Sequence, residues 1–355
     1  MKILYIMNSN WGWIKQRPHF IAEGLSTFYN VRILAPKEYH KTVNNNIPNN
    51  LKFIFRLPFQ SRSRVMEYLN RYVMGVQIWF LSRKFDTIWI ASPLQYEFVK
   101  YSCKGKKVIY DCMDDQVELK TNERDRKRVA KYEQQLFDRA DIIIASSNHL
   151  RSVLNVKYGP KRIAVVNNAI KDDFKSGCVE LPSDINKKLT PDFINVTYIG
   201  TISKWMDFDL LRYLVQRNPN LRVNLFGPVD IKQKPTIDRV IYHGAVDHQY
   251  VAGVMAASDI LIMPFIVNDL IKSVNPVKLY EYVYSGKPCM APLYEESLPF
   301  RDFVMLYNSK EEACKFVEEY ANNTIKLHEK EDCEEFALSN TWSHRIEEIK
   351  SIIGK

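Results

Sequence analysis

The sequence lacks the segments that place a protein in or across a membrane. No apolar run approaches the ~20 residues of a spanning helix, although 46% of the 355 residues are hydrophobic. The opening, MKILYIMNSNWGW, has no long apolar segment before a small-residue cleavage site, so we interpret it as a first core strand. The six cysteines are scattered without a CxxC pair, which favours neither a zinc site nor a disulfide framework. These absences predict a cytoplasmic protein.

Two phosphate-binding fingerprints are also missing. The first strand is followed by residues 8–13, NSNWGW, and the first strand of the second half by residues 200–205, GTISKW. Neither fits GxGxxG, and no Walker A sequence occurs, which argues against a nicotinamide oxidoreductase and against a P-loop phosphotransferase. Because no recognisable RNA- or DNA-binding motif is present, we also expect no nucleic-acid partner.

The net charge of +9 is unevenly distributed. Residues 1–170 carry 28 Lys and Arg against 14 Asp and Glu, whereas the remainder carries 22 against 27. Such a basic half suggests an anionic partner. Within it, the segment from Arg62 to Lys84 mixes arginines with aliphatic and aromatic side chains, and it could lie on an anionic membrane surface. An amphipathic core helix with a solvated basic face is the equally open alternative.

Apolar strands alternate with helical stretches along most of the chain. Short strands rich in Ile, Val and aromatic residues are predicted throughout residues 1–170 and again in 193–340. This alternation predicts two doubly wound α/β domains in tandem. Residues 171–192 show no clear period and are interpreted as a linker. Residues 341–355, which begin TWSHRIEEI, are predicted to form a capped closing helix.

One stretch of the second domain, residues 273–290, has the pattern of a helix between two strands. Asn275, before a proline, predicts a capped helix start, and SGKP predicts its end. A helix N-terminus at the carboxyl edge of a parallel sheet can bind an anion. Lys278 would add positive charge, and the Glu281 carboxylate could accept hydrogen bonds from two hydroxyls. A diphosphate followed by a sugar fits this order, although an ordinary crossover helix carries the same signals.

Candidate catalytic groups of the first domain follow its strands. His19 ends the loop 12–19, where it could meet a ligand or be satisfied by its neighbours at a helix start. Asp111 ends a strand, and Asp114 and Asp115 follow it, at the edge of the sheet where ligands bind. One of these carboxylates could orient or deprotonate a hydroxyl. Alternatively, Asp114 or Asp115 could cap the next segment.

The triplet from Asp207 to Asp209 has the form DxD, which can hold a divalent ion. It directly precedes LLRYLVQR, a helical pattern. We therefore interpret the triplet as a helix cap followed by a first-turn acid, and we predict no metal site.

Distinctive motifs occur in both halves of the chain. The second half contains YIGTISKWMDFDLL, LFGP, YHGAVDHQYVAGVMAASDILIMPF and NPVKLYEYVYSGKP, and the first half contains WIKQRPHFIAEGLS, YDCMDD and DIIIASSNHL. Taken together, these motifs resemble the retaining GT-B glycosyltransferases of family four, in the branch that makes bacterial capsule, O-antigen or teichuronic-type polysaccharides. The resemblance covers nearly the whole chain. It implies an α/β GT-B fold, in which two tandem Rossmann-like domains, 1–170 and 193–340, face each other across a cleft, with the closing helix packing on the first.

The activity that this resemblance implies is metal-independent sugar transfer with retention at the anomeric carbon. The donor would be a nucleotide sugar, with UDP favoured, acting as a substrate and not as a cofactor. The acceptor would be a glycan or a polyprenyl-diphosphate-linked glycan. Such an enzyme would be cytoplasmic and could sit peripherally on the inner face of the cell membrane. A non-catalytic GT-B binding subunit and a UDP-sugar epimerase of GT-B shape are the open alternatives.

The resemblance also implies roles for individual residues. Glu281 takes the place of the glutamate that holds the donor's ribose hydroxyls, and Ser273 stands where relatives carry a first glutamate, which leaves the contacts of the transferred sugar open. The other implied donor-binding residues are Gly200, Thr201, Lys204, Gly244, Val246, Asn275, Val277 and Lys278. The implied acceptor-binding residues are Trp11, Gly12 and Arg17, and the implied catalytic residues are Asp111, Asp114 and His19.

Overall fold

Two parallel sheets form in the chain, and each belongs to its own compact unit. The computed structural model describes residues 1–8, 10–12, 15–36, 47–57, 63–174, 181–187, 189–326 and 328–354, with only the backbone at residues 64 and 184. The first unit comprises Met1–Asn168 together with Trp342–Lys355, and the second comprises Ala169–Thr341.

The first sheet is built from strands that read as short runs of Ile, Val and aromatic residues. They are β1 (Lys2–Ile6), β2 (Asn30–Pro36), β3 (Leu51–Ile54), β4 (Thr87–Ile90), β5 (Lys107–Cys112), β6 (Ile142–Ala145) and β7 (Ile163–Val165). All neighbours pair in parallel, in the order β3-β2-β1-β4-β5-β6-β7. The helices between them are α1 (Arg17–Ser26), α2 (Arg64–Ser82), α3 (Pro93–Val99), α4 (Glu123–Arg139) and α5 (Asn148–Tyr158).

Burial on both faces of this sheet explains the apolar character of its strands. Every residue of β4 is buried, as expected for a central parallel strand. On one face, Ile88 and Val108 of the sheet pack in a single cluster with Ile78 of α2 and Leu136 of α4. The helices thus supply apolar stripes that cover the sheet and fix its position.

The second unit repeats this architecture. Its strands are β8 (Ile194–Ile199), β9 (Leu221–Phe226), β10 (Val240–Gly244), β11 (Ile260–Ile262), β12 (Cys289–Pro292) and β13 (Met305–Tyr307). They pair in parallel in the order β10-β9-β8-β11-β12-β13. Its helices are α6 (Ser183–Asn186), α7 (Phe208–Arg217), α8 (His248–Ala256), α9 (Asp269–Lys272), α10 (Val277–Tyr284), α11 (Lys310–Ala321) and α12 (Lys330–Leu338). The closing helix, α13 (Trp342–Ile353), belongs to the first unit.

The strand order decides where each unit can hold a ligand. In the first sheet the order reverses between β1 and β4, and in the second between β8 and β11. In open α/β sheets such a reversal leaves a crevice outside the carboxyl ends of the strands, because the connections diverge to opposite sides. The loops after these strands are therefore the places to look for functional side chains.

The short apolar strands that the sequence predicts in residues 1–170 and 193–340 are present as β1–β7 and β8–β13. The segment 171–192 differs from the predicted linker, because it is part of the second unit and includes α6. Of this segment, residues 175–180 and 188 lie outside the described residues. The predicted closing helix corresponds to α13, which packs against α1.

The contact between α1 and α13 predicts an energetic coupling. A Cβ at Gly24 would lie 2.4 Å from Cγ1 of Ile346, so we expect Gly24→Ala to lower the free energy of unfolding by about 1–3 kcal/mol. In an Ile346→Ala background that space is free, and the higher helix propensity of alanine, about 1 kcal/mol, should make the same change neutral or stabilising. Denaturation of the four proteins measures the coupling. Strictly additive effects would contradict direct packing of α13 on α1.

Candidate functional site

Glycines line the carboxyl edge of the second sheet. Gly200 follows β8, Gly227 follows β9, and Gly244 ends β10. The N–H of Gly227 donates to the carbonyl of Gly244 at 2.8 Å, and a Cβ on Gly227 would lie 1.9 Å from the carbonyl oxygen of Gly200. Gly244 has a φ of +78° and open space where a Cβ would stand. The edge therefore presents bare backbone, which a ligand can approach closely.

The helix α10 carries the predicted anion-binding residues. Its N-cap position is Pro276, one residue after the predicted Asn275. The Nδ2 of Asn275 donates to the Glu296 carboxylate at 3.1 Å, and both side chains are buried. Ser273 is also buried, and its hydroxyl donates to the carbonyl of Asp269 at 3.3 Å. The role predicted for Ser273 at the transferred sugar stays a prediction, and this inward orientation gives it no support.

Glu281 and Lys278 form the central pair of this edge. The Lys278 Nζ lies 2.7 Å from Oε2 of Glu281 across one turn of α10. Glu281 is 6% exposed, and its other oxygen, Oε1, accepts no hydrogen bond from the described part of the chain. One carboxylate oxygen is thus fixed by an ammonium while the other is available to hydroxyl donors. A carboxylate oxygen that is free in this way can accept hydrogen bonds from the hydroxyl groups of a ligand.

Two residues that the sequence did not single out extend this pair. The Lys171 Nζ lies 3.0 Å from Nε2 of His248, the first residue of α8. His248 also interacts electrostatically with Glu281 and Lys278. Partial burial of the ring and then the Lys171 ammonium lower the pKa of His248, which keeps the imidazole neutral at neutral pH. The sequence around His248 gave little sign of this role, because its partner Lys171 lies 77 residues away.

The remaining residues predicted to bind a donor lie in the loops after β8 and β10 and at the start of α10. Thr201 follows the glycine after β8, and its carbonyl accepts a hydrogen bond from Tyr198 at 3.1 Å. Lys204 is exposed, whereas Val246 packs partly against the core on one face of the sheet. Val277 is the first residue of α10 and is half-buried. The DxD triplet behaves as predicted, because Asp207 accepts the N–H of Leu210 at 2.8 Å and caps α7.

In the first unit, the predicted residues Arg17 and Asp111 pair with each other. The guanidinium donates to Oδ1 of Asp111 from Nη2 at 2.9 Å and from Nε at 3.1 Å, and Nη1 donates to the carbonyl of Val166 at 2.7 Å. Arg17 is 5% exposed and Asp111 is completely buried. The two side chains therefore form an interior ion pair. The predicted roles of Arg17 in acceptor binding and of Asp111 in catalysis stay predictions, and this pairing gives them no support.

Asp114 and Asp115 have different environments although they are adjacent. Asp115 accepts the N–H groups of Val117 and Glu118, each at 3.1 Å, and pairs with Lys157 at 2.8 Å, so it is the capping residue of the two. Burial of its carboxyl, reinforced by the nearby negative charges, raises the pKa of Asp114 to about 7 against the opposing effect of Arg17. Asp114 is thus the carboxyl that can change protonation near neutral pH.

His19 and its neighbours form a buried helix start. His19 is the third residue of α1, and its Nδ1 accepts the N–H of Gln16 at 3.2 Å, which completes a capping box. Its ring lies 5.1 Å from that of Trp11, and both side chains are buried. Burial lowers the pKa of His19. This geometry favours the interpretation of His19 as a helix-start residue, and it leaves half-buried Gly12 as the accessible member of the predicted acceptor loop.

No cluster of three or more His, Cys, Asp or Glu within the described ranges is arranged to hold a metal ion. Across those same ranges, every helix is too short or too polar to cross a membrane.

Helix α2 bears on the two alternatives left open for this segment, a membrane-surface helix and an amphipathic core helix with a solvated basic face. Its buried stripe is narrow and includes Met74 and Ile78. The outward surface is largely apolar: Tyr68 is 69% exposed, Tyr72 67% and Phe80 56%. Arg62 and the side chain of residue 64 lie outside the described residues.

Comparison with known proteins identifies the fold. No protein-family profile matches the chain. Over 196 residues it is 28% identical to the putative teichuronic acid biosynthesis glycosyltransferase TuaH of Bacillus subtilis, an alignment that covers 51% of this chain and 49% of that protein. The match thus spans about half the length of this curated relative.

Solved structures match along the whole chain. A sucrose-phosphate synthase from Thermosynechococcus elongatus superposes with a TM-score of 0.77 at 11% identity, covering 100% of this chain and 98% of that one. The Anabaena protein HepE, in complex with UDP, superposes with a TM-score of 0.74 at 14% identity and covers 100% of both chains. The chain therefore has the GT-B fold that the sequence predicted.

The raised pKa of Asp114 predicts a pH-dependent contribution to stability. An unfolded aspartate titrates near pH 4 and the folded carboxyl near 7. Protonation therefore stabilises the folded state below the unfolded pKa, and this stabilisation is lost as the pH rises through the folded pKa. We expect Asp114→Asn, which carries no charge, to gain thermal stability relative to the wild type between about pH 4 and about pH 8.

The matched control is Asp138→Asn, on the exposed end of α4. Its melting temperature should differ from the wild type by the same amount at both ends of the range. If the Asp114→Asn difference is equally constant, burial does not raise the pKa of Asp114.

Proposed function

We propose that this protein is a glycosyltransferase that uses a UDP-sugar donor. The observation that carries the proposal is Glu281, whose buried carboxylate is held by Lys278 at one oxygen and open at the other. The site lies in a fold shared with HepE in complex with UDP. A ribose diol would donate to the open oxygen, and this pairing gives Glu281 its role.

The second unit would bind the rest of the donor around this carboxylate. The N-terminus of α10 and the Lys278 ammonium place positive potential where a diphosphate carries its charge. The bare backbone from Gly200 to Gly244 leaves room for the base against the edge of the sheet. The neutral His248 beside Lys171 adds a hydrogen-bonding group to the same surface. The site is therefore organised for an anion linked to a hydroxyl-bearing ring.

The first unit would provide the chemistry of the acceptor. With a pKa of about 7, the Asp114 carboxyl can orient an acceptor hydroxyl and take its proton. The charged groups around it, Asp111 and Arg17, are fixed by their own ion pair, which gives Asp114 a constant field. His19 and Trp11 would support the loop that carries Gly12 without touching the substrate.

The finer assignments follow from the resemblance to family-four enzymes and from the relative in teichuronic acid biosynthesis. We propose transfer with retention, to a glycan or polyprenyl-diphosphate-linked glycan, in the synthesis of a cell-surface polysaccharide such as capsule or O-antigen. Fixed positive groups such as Lys278 would stabilise the leaving diphosphate in place of a metal ion. The protein would work in the cytoplasm, associated peripherally with the membrane through α2.

Nucleotide binding tests the donor site. We expect calorimetric titration to show binding of UDP in preference to GDP, CDP, ADP and NAD, with no effect of EDTA. Glu281→Gln and Lys278→Met should each weaken UDP binding by about tenfold to a hundredfold, because each removes a charge-assisted interaction of about 1.5–3 kcal/mol.

Lys272→Met provides the control, since Lys272 is a half-exposed lysine on the neighbouring α9 and pairs there with Asp269. It should bind UDP like the wild type. The donor site is wrong if UDP does not bind, or if Glu281→Gln binds it with unchanged affinity.

Turnover tests the role of Asp114. In an assay of UDP release from UDP-sugars with a polyprenyl-diphosphate-linked glycan, Asp114→Asn should reduce kcat by about 10²–10⁴. Its affinity for UDP should be unchanged, because Asp114 lies in the first unit and Glu281 in the second. Asp138→Asn should retain full turnover.

The stereochemistry of the product, measured by the anomeric proton coupling in NMR, should match that of the donor. An inverted product would exclude retention. Full turnover of Asp114→Asn would remove that carboxyl from the mechanism, and turnover of the donor without acceptor would favour the epimerase alternative.

A further inference from the structure

Helix α2 has a second apolar stripe that the fold leaves uncovered. Its exposed large apolar residues are Val65, Tyr68, Leu69, Tyr72, Val76, Trp79 and Phe80. A surface helix normally keeps its apolar residues on one face, towards the core. Here Met74 and Ile78 cover the sheet, while the aromatic residues recur on the outward side. The second stripe therefore adds nothing to the core of the first unit.

A preformed cavity opens within this stripe. It has a volume of about 440 Å³ and lies where α2 meets α3 and the short 3-10 helix Lys100–Cys103. Its lining is largely aromatic: Tyr68, Tyr72, Trp79, Phe98, Tyr101 and Tyr132. The absence of a side chain at Gly75 brings α2 close to α3, because a Cβ there would lie 2.9 Å from the carbonyl oxygen of Phe98. The volume is in the range of pockets that hold small molecules, about 300–1,000 Å³.

An ion-pair network fixes one wall of this cavity. Glu97 of α3 pairs with Arg71 of α2 and Arg128 of α4, each at 2.5 Å, and accepts the Tyr132 hydroxyl at 2.8 Å. Glu67 pairs with the same two arginines. The two carboxylates balance the two guanidinium groups, so Arg71 is not free to bind an external anion. The four formal charges of this wall therefore sum to zero.

The free positive charge lies elsewhere around the cavity. Lys100, the first residue of the 3-10 helix, lines the cavity, and Arg83, the C-cap of α2, contacts the lining residue Trp79. Across the described ranges, neither of these two side chains pairs with a carboxylate. The Arg83 guanidinium stacks over the Trp79 ring at 3.8 Å. Tyrosine and tryptophan beside cations are typical of the boundary between water and lipid, where both an apolar body and a polar tip find partners.

We propose that this cavity holds one hydrocarbon chain of an anionic membrane lipid, with Lys100 and Arg83 beside its headgroup. The inference deepens the peripheral membrane association proposed above and rests on it. In this proposal α2 does not simply lie on the membrane surface, because a hydrocarbon chain of the lipid enters the cavity between α2 and α3. The lining offers apolar surface for a chain, and the rim offers charge for a phosphate.

The same charge argues against a second copy of the chain as the occupant. A two-fold symmetric interface brings the same patch of both protomers together. It would bring the Arg83 and Lys100 side chains of one copy close to those of the other. A homodimer would therefore add repulsion between positive side chains, whereas an anionic lipid would be attracted to them.

A cavity-filling substitution separates chain insertion from surface adsorption. Val76 lines the cavity, whereas Val65 lies on the same exposed face outside it. Val76→Trp and Val65→Trp add the same apolar surface, but only the first fills the cavity. Monomeric dodecyl phosphate serves as the chain-bearing probe and inorganic phosphate as the probe for the headgroup alone. Both are titrated calorimetrically into the full chain.

We expect the wild type and Val65→Trp to bind dodecyl phosphate with similar affinity, and Val76→Trp to bind it about tenfold more weakly or worse. Inorganic phosphate should not bind measurably. In flotation with vesicles of phosphatidylglycerol and phosphatidylcholine, Val76→Trp should lose most of its lipid-bound fraction and Val65→Trp should keep it. Val76→Phe repeats the test if the larger substitution lowers the melting temperature.

The inference is overturned by equal binding of the two tryptophan variants, which would indicate adsorption, and by equal binding of inorganic phosphate. Concentration-dependent dimerisation that Val76→Trp abolishes would also overturn it in favour of a second copy. UDP binding, measured on the same samples, distinguishes its failure from that of the proposed function. If the wild type binds UDP but does not bind dodecyl phosphate, only the lipid site is refuted. If it binds dodecyl phosphate but does not bind UDP, only the donor site is refuted.

Discussion

The buried ion pair between Arg17 and Asp111 is the interaction on which the first unit's candidate site depends. One guanidinium binds the end of β5 through Asp111 and the chain after β7 through the carbonyl of Val166, while its own backbone starts α1. Removing one partner of a buried pair leaves an uncompensated charge, at a cost of about 3–5 kcal/mol. The pair therefore fixes the relative positions of three segments that lie far apart in sequence. The loops between them derive their geometry from it.

Three aspartates near the end of β5 show how position separates identical groups. Asp111 is neutralised directly by Arg17, and Asp115 is engaged by two N–H groups and Lys157. Asp114 has no such partner among the described residues and experiences Arg17 only at a distance, so burial dominates and raises its pKa to about 7. A carboxyl with that pKa can accept and return a proton near neutral pH. Asp111 and Asp115 thus hold the structure together, while Asp114, in the same short segment, stays able to exchange a proton.

The sequence predicted what local patterns determine and missed what distant contacts determine. Runs of Ile and Val mark the strands because doubly covered parallel strands are apolar throughout, and Asp207 could be assigned as a cap because its acceptor role is local. Asn275 has the same local pattern as a capping residue, yet Glu296, 21 residues later, takes its amide. The pairing of Lys171 with His248 spans 77 residues. No periodicity encodes such pairs, since tertiary packing creates them.

Helix α2 is a second case in which the local sequence pattern does not decide the structure. Its sequence is apolar on more than one side, so periodicity alone cannot decide which stripe is buried. In the structure Met74 and Ile78 pack in the core, and the aromatic residues Tyr68, Tyr72, Trp79 and Phe80 are exposed. The basic character of the segment divides in the same way, since Arg71 is neutralised by Glu67 and Glu97. The positive charge available to a partner beside the cavity is therefore that of Arg83, after the end of α2, and of Lys100 in the 3-10 helix, and it is not spread along α2.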